Sequence, residues 1–549
     1  MKRVSIIAGL VALFVLEASV IAVKKSSTWD EPAHILAGYA HIREGMDYIS
    51  PLNHPAFGRM LAGALPAAFL DLDFDKNVRP EQAEGSDFFP YSIKFLYGNR
   101  AAGDTVLFLS RLPNILLGAL LGVYVFLWSE ELWGLKGGYL SLFLYALSPN
   151  ILSNASLAAT DMPIAAFFFI SSYYLFRLSK DGPSTKGIVM AAAMTALAFT
   201  SKHTAFLLLP VVATAFIGNA REGFSRAVSY YVLFAFIVYA SIWAVYGFRY
   251  HSVSGSYVPL YWDRLALSGL TPVFGFLRKI KLLPEAYLYS VAGVLTGAGS
   301  GKAAFLMGRY STEGWWYYFP VAFLIKTPIP VIFLLIAALL YLPKGRGTKG
   351  VLLFVALPAA FVFAAMSAQK VNIGIRHILP VYPFIFTLIG FAPNIRTRSM
   401  RAARAVLCGC VVWYAYSAAS IFPHDLAYFN EFIGGPGNGY RYLVDSNLDW
   451  GQDLKGLKAY MDEKNIGRIK LAYFGLADPG YFSIDYEYLP SFLILNPRNA
   501  KPSTPVKGYF AISATMLQGV YLPDRDFYRV FREARPIDTI GYSIFIYRF

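Results

Sequence analysis

Apolar runs of bilayer-crossing length recur along most of this chain, separated by short polar loops. A helix needs roughly 20 apolar residues to span a bilayer. The pattern predicts about eleven crossings: 4–23, 106–128, 136–153, 162–178, 187–201, 203–218, 227–247, 316–341, 350–367, 377–393 and 404–422. The first run, Val4 to Val23, follows Lys2-Arg3 as a signal peptide would. It is long, carries Glu17 and ends in Lys24-Lys25 without a small-residue cleavage site, which predicts a retained anchor.

Three stretches break the apolar rhythm: 24–105, 248–315, and a polar tail from Pro423 to Phe549. In the first, Glu31 to Arg43 reads as a helix, and Met60 to Leu70 is apolar but too short to span. Both suit helices lying at a membrane surface. In the tail, Leu454, Leu457 and Met461 recur at helical spacing within Asp453 to Lys464. Ile469 to Phe474, Tyr509 to Ala514 and Tyr542 to Tyr547 are rich in β-branched and aromatic residues, as strands are. The expected organisation is a polytopic helical membrane domain, 1–422, with outer loops 24–105 and 248–315, followed by a soluble α/β domain, 423–549.

Charge orients this scheme. With the N-terminus cytoplasmic, the inside loops hold Arg177, Lys180, Lys186, Arg221, Arg226, Lys344, Arg346, Lys349, Arg396, Arg398, Arg401 and Arg404. The short outside connections hold only Lys202, Lys370 and Arg376, the asymmetry of the positive-inside rule. The expected location is thus a cell membrane, crossed many times, with the tail extracytoplasmic. The net charge of +15 lies in these loops and accompanies no nucleic-acid module, so a nucleic-acid partner is not expected. The two cysteines, Cys408 and Cys410, sit within an apolar run and form no disulfide framework.

Polar residues then gather at the outer ends of the crossings. Asp30 and Glu31 stand in Thr28-Trp29-Asp30-Glu31-Pro32, which also fits a capping box with proline in the first helical turn. His54 and Arg59 follow in the same loop, Asp161 opens the fourth crossing, Lys202-His203 occupies an outer turn, and Arg376-His377 opens the tenth. Lys326 lies within the eighth. Singly, each has a structural reading: Asp161 as a helix cap, Lys202 and Lys326 as snorkelling side chains, Arg376 as a lipid-headgroup contact, His54-Pro55 as a turn. Those readings do not explain why every one but Lys326 falls on one face. Acids and bases converging there suggest a site with carboxylates for proton transfer and cations for an anionic group. Asp30, His34 and His41 recur along one helix face, and with Asp161 they leave room for a divalent metal.

TWDEPAHILAGYAHIREG, NHPAFGRMLAG, LAATDMPIAAFFF, FTSKHTAFLLLP, WYYFPVAFLIKTPIP and NIGIRHILPVYPF together resemble the phospholipid-carrier-dependent glycosyltransferases of the protein O-mannosyltransferase family. That family belongs to the GT-C superfamily and is also similar to the lipid A aminoarabinose transferases. The tail stretch YFNEFIGGPGNGYRYLVDSNLDWGQDL resembles prokaryotic members. The resemblance implies a GT-C bundle and a donor sugar on a polyprenyl phosphate. It implies Asp30 as the catalytic acidic position with Glu31 its companion, Asp161 as a second acidic position, and Lys202 and Arg376 as basic positions near the lipid-linked phosphate. Arg59 and His377 follow as further phosphate-site candidates, His54 and Lys326 as weaker substrate-binding ones. The acceptor, protein or lipid or glycan, stays open, because the tail departs from the eukaryotic pattern.

The chemistry agrees with this implication. Transfer of a phosphate-activated sugar to a hydroxyl needs a base for the hydroxyl and cations for the departing phosphate. One displacement with one catalytic carboxylate implies inversion at the anomeric carbon. The expected enzyme is an inverting hexosyltransferase, with mannose a candidate sugar, surrounded by membrane lipids. The alternatives are a transporter or flippase of lipid-linked sugars, or a polysaccharide polymerase or ligase. A transporter site would sit near the midplane, often on broken helices.

Overall fold

The computed structural model describes residues 2–47, 49, 52, 54–75, 88–220, 224–253, 260–267, 269–342, 346–492 and 507–549. Arg221 and Lys344, which entered the charge count above, lie outside the described residues.

Apolar runs fold as helices because a membrane segment must satisfy its own backbone hydrogen bonds. Six described helices are long and apolar enough to cross: Arg3–Lys24, Gly103–Trp133, Asp161–Asp181, Ala227–Val245, Thr348–Ser367 and Met400–Ile421. Tyr318–Lys326 and Ile329–Tyr341 make a seventh only if taken as one span bent by 111°. The protein is a multi-pass helical membrane protein, but eleven full-length crossings are not reached by this measure. The shortfall comes from breaks within the expected runs. The run 136–153 divides into Leu135–Ala146 and Pro149–Ala155, at a proline that has no N–H to continue a helix. Thr185–Ser201 ends at Lys202, whose backbone is extended. Val381–Asn394 is likewise short.

The two helices read in the first polar segment form, as Glu31–Glu44 and Ala56–Phe69. They do not lie loose on a surface. Ile35, Leu36, Tyr39 and Ala40 of the first are buried, and the two helices cross at Gly38 and Gly63. A Cβ on Gly38 would stand 2.0 Å from the Arg59 carbonyl oxygen, and one on Gly63 would stand 2.2 Å from the Gly38 carbonyl carbon. Only glycine permits that approach.

A short hairpin, β1 (Ala304–Leu306) and β2 (Arg309–Ser311), lies near the end of the second outer segment. Its turn residues Met307 and Gly308 both have positive φ, as tight hairpin turns with the twist of the strands require. The tail builds β3 (Ile469–Ala472), β4 (Tyr486–Tyr488), β5 (Tyr509–Ser513), β6 (Asp538–Ile540) and β7 (Ile544–Arg548) into one sheet ordered β4-β3-β5-β7-β6. Strand β3 is parallel to β4 and β5, while β7 is antiparallel to β5 and β6. The three strands and the helix (Leu454–Glu463) read from the sequence are all present. One apolar core runs from the membrane helices into this tail, taking in Leu443, Trp450, Phe474 and Phe545. The hairpin is tied to the tail as well, Met307 N–H donating to the Tyr442 carbonyl at 2.9 Å and Tyr310 hydroxyl to the Gln518 carbonyl at 2.6 Å.

Candidate functional site

The turn from residue 25 to residue 31 is built around a buried arginine. Arg111, inside Gly103–Trp133, has no exposed surface. Its Nη1 donates to the carbonyls of Ala22 (2.6 Å) and Lys25 (2.9 Å), and its Nη2 to that of Ser26 (2.9 Å). The last carbonyls of a helix have no partner within it, so Arg111 closes the end of the first helix. The same guanidinium holds both oxygens of Glu31 at 2.7 Å. Glu31 also accepts from the Thr28 N–H (2.7 Å), the Thr28 hydroxyl (3.0 Å) and the Ala158 N–H (2.8 Å). Burial pushes the Glu31 carboxyl up, and Arg111 with these N–H donors outweighs it, leaving the group below its ordinary range.

Only half of the expected capping box therefore exists: Glu31 takes the Thr28 N–H. Asp30 stands at the N-cap of Glu31–Glu44, but its side chain makes no capping hydrogen bond. It turns instead to Arg376, whose Nη1 lies 2.9 Å from Asp30 Oδ2. The same Nη1 is 3.5 Å from Asp161 Oδ2, and Lys202 Nζ donates to Asp161 Oδ1 at 2.6 Å. Asp161 is the first residue of its helix, whose N-cap, Thr160, makes no side-chain capping bond. The result is an alternating ion chain, Asp30–Arg376–Asp161–Lys202, drawn from four separate segments. The Asp161 side chain is 1% exposed, whereas Asp30 is 26% exposed. Of the two carboxylates, Asp30 is the one a substrate can reach.

His34 and His54 stand beside the chain with their rings edge to face, centroids 5.1 Å apart. Burial lowers His34 to about 4, and Asp30, Arg59, Asp161 and Arg376 all act on its ring. Burial holds His54 well below its usual value, with the neighbouring His34 and cations adding to the effect. Both are neutral imidazoles at physiological pH. Arg59 donates to the carbonyls of Ile49 (3.1 Å) and His54 (3.0 Å) and so shapes the loop carrying His54. His377 follows Arg376 on the same turn, with its ring edge-on to Phe319.

Two candidates stand elsewhere. Lys326 donates to the backbone carbonyls of Leu426, Tyr428 and Asn447 and lies 4.4 Å from the centre of the Phe429 ring. Its three hydrogens go to the start of the tail. His41 pairs with Asp47 at 2.5 Å and meets the Val245 carbonyl at 2.9 Å. Among the described residues no three His, Cys, Asp or Glu side chains group to hold a metal ion. The set Asp30, His34 and His41 does not fit one, because His41 is committed to Asp47.

Sequence reasoning missed Arg111, although a charge inside an apolar run was a signal for it. It also missed two tail residues on Arg376. Ser446 Oγ accepts from Arg376 Nε at 3.1 Å, and the Trp450 ring lies 4.2 Å from the guanidinium carbon. Both lie in the tail stretch quoted for its resemblance to prokaryotic members, which implied no role for either.

A set of membrane-spanning helices with buried acids and cations meeting at helix ends defines a class of multi-pass membrane protein with a polar site among those ends. Residues 97–246 match the family described as dolichyl-phosphate-mannose-protein mannosyltransferase, so the chain is similar to membrane glycosyltransferases of that family, as its motifs imply. The matched segment includes Arg111, Asp161 and Lys202. No curated protein matches the chain. Among solved structures it resembles ArnT from Cupriavidus metallidurans bound to undecaprenyl phosphate, at 12% identity over 98% of this chain and 97% of that one, TM-score 0.49. It also resembles the Archaeoglobus fulgidus oligosaccharyltransferase tethered with an acceptor peptide, at 12% identity over 75% of this chain and 54% of that one, TM-score 0.39.

Proposed function

We propose that this protein transfers a sugar from a polyprenyl-phosphate donor to a hydroxyl acceptor, with inversion. The carrying observation is the ion chain Asp30–Arg376–Asp161–Lys202, in which the reachable carboxylate pairs with Arg376 and the buried one holds both Arg376 and Lys202. Asp161 spaces Lys202 and Arg376. Lys202 Nζ has hydrogens beyond the one given to Asp161, and Arg376 Nη2 makes no hydrogen bond among the described residues. Those donors can take phosphate oxygens. Asp30 then accepts the acceptor hydroxyl's proton as the hydroxyl oxygen bonds to the anomeric carbon. The bond from that carbon to the phosphate oxygen breaks, and its electron pair leaves with the polyprenyl phosphate. Cations held in place stabilise that charge as it develops. Asp30 is assigned as the base because it is the carboxylate of the chain that a substrate can reach, with its side chain 26% exposed.

The test is incubation of the purified protein with polyprenyl-phosphate sugars and a panel of protein, lipid and glycan acceptors. Sugar transfer should appear with one donor. Lys202→Ala and Arg376→Ala should each raise the donor KM by about tenfold or more, since a hydrogen bond to a charged group is worth about 1.5–3 kcal/mol. Unchanged donor kinetics in both would remove these residues from the phosphate site.

The site faces outward in this reading, supported by the basic inner loops. A cysteine at Lys464, exposed at the end of the tail helix, should react with an impermeant reagent in spheroplasts. A cysteine at Lys349 should not. The reverse pattern would invert the topology.

A further inference from the structure

We infer that residues 445–453 of the tail are part of the site, with Ser446 and Trp450 acting as positioning residues for Arg376; this rests on the function proposed above. The segment grips the two turns that carry the first two members of the ion chain, Asp30 and Arg376. On the Arg376 side, Ser446 Oγ accepts from Nε and donates to the Ile373 carbonyl at 2.8 Å, and Asn447 Oδ1 accepts the Ile375 N–H at 2.9 Å. Asn447 is anchored in turn by its amide, which donates to the Tyr318 hydroxyl at 2.8 Å. On the Asp30 side, the Trp29 N–H donates to the Trp450 carbonyl and the Ser26 N–H to the Gln452 carbonyl, each at 2.9 Å. Lys25 pairs with Asp453 at 2.5 Å, both buried.

The turn bearing Arg376 and the turn bearing Asp30 therefore meet on one short tail segment. A guanidinium on an aromatic face loses rotational freedom and gains a favourable electrostatic contact. The Ser446 acceptor fixes its in-plane orientation, leaving Nη1 toward the carboxylates. A phosphate then finds the fork already set, with little ordering left to do. The tail is thus a working part of the active site. Gly451 supplies the bend between these contacts at φ +92°, where a Cβ would stand 2.7 Å from the Gly475 Cα.

The experiment compares Ser446→Ala, Trp450→Phe and Trp450→Leu in the full-length protein. Two readouts are taken: donor kinetics, and the rate at which phenylglyoxal modifies Arg376, followed by peptide mass spectrometry. Ser446→Ala and Trp450→Leu should lower kcat/KM for the lipid-linked donor about tenfold, leave the acceptor KM within about twofold, and speed Arg376 modification severalfold. Trp450→Phe, which keeps an aromatic face, should recover most of both. Should Trp450→Leu fail to fold, Ser446→Ala decides alone. Wild-type modification rates and donor kinetics in Ser446→Ala would overturn the inference. The chemical readout needs no substrate, so faster modification without any sugar transfer would sustain the clasp and sink the glycosyltransferase reading.

Discussion

Asp30→Asn is expected to lower turnover by about 10² or more while the melting curve in detergent stays close to that of the wild type. A positioned base contributes about 10²–10⁴-fold, and asparagine cannot accept the proton. Stability should survive for two reasons. The Asp30 side chain caps nothing, so the helix start loses no hydrogen bond. Arg376 also keeps its second carboxylate, Asp161, at 3.5 Å, so the buried guanidinium is not left without a partner. Asp30→Glu should recover little activity, because the longer side chain displaces the carboxylate from the hydroxyl. Turnover near wild type in Asp30→Asn would refute the catalytic assignment and return Asp30 to a partner of Arg376 alone.

Arg111→Leu is expected to do the opposite, destabilising the protein by about 3–5 kcal/mol, the cost of leaving a buried charge without its partner. Glu31 would keep its N–H donors but lose both guanidinium contacts, and the carbonyls of Ala22, Lys25 and Ser26 would lose theirs. Thermal melting in detergent measures this directly; an unchanged midpoint would disprove the anchoring role. Glu31→Gln keeps the shape but turns an amide NH2 toward N–H donors and leaves Arg111 without its counter-charge, so it should lower the melting midpoint too. The folded fraction should keep turnover within about tenfold of wild type, far above Asp30→Asn. A loss matching Asp30→Asn would place Glu31 in the chemistry after all.

Asp30 and Glu31 show how far the sequence could be read. As neighbours at the end of an apolar run they look equivalent. On a helix, consecutive side chains do not share a face, and here one reaches Arg376 while the other is enclosed by Arg111. Asp161, Lys202 and Arg376 were legible because each is a charge where an apolar run begins or ends, a place that burial and cost make informative. Ser446 and Trp450 were not. Serine and tryptophan carry no such cost, and their relation to Arg376 exists only once the tail folds back across the bundle. Strands β3, β5 and β7 were legible from their β-branched and aromatic content, the short edge strands β4 and β6 were not, and the order, with β5 between β3 and β7, depends on pairings no local pattern encodes. The eleven expected crossings show the converse: hydropathy marks what is apolar, while Pro149 and the bend before Ile329 decide what is continuous.

The grip of the tail on the two turns also sets an order of events during synthesis. Asp30, Asp161, Lys202 and Arg376 leave the ribosome in that sequence, and chains fold N-terminal parts first. A nascent chain that has emitted all four still lacks Ser446 and Trp450, and it lacks the strands β3, β5 and β7 against which the shared core closes. The ion chain, fully held, is thus among the last things the polypeptide completes. A truncated product ending before residue 445 would be inserted, charged and idle.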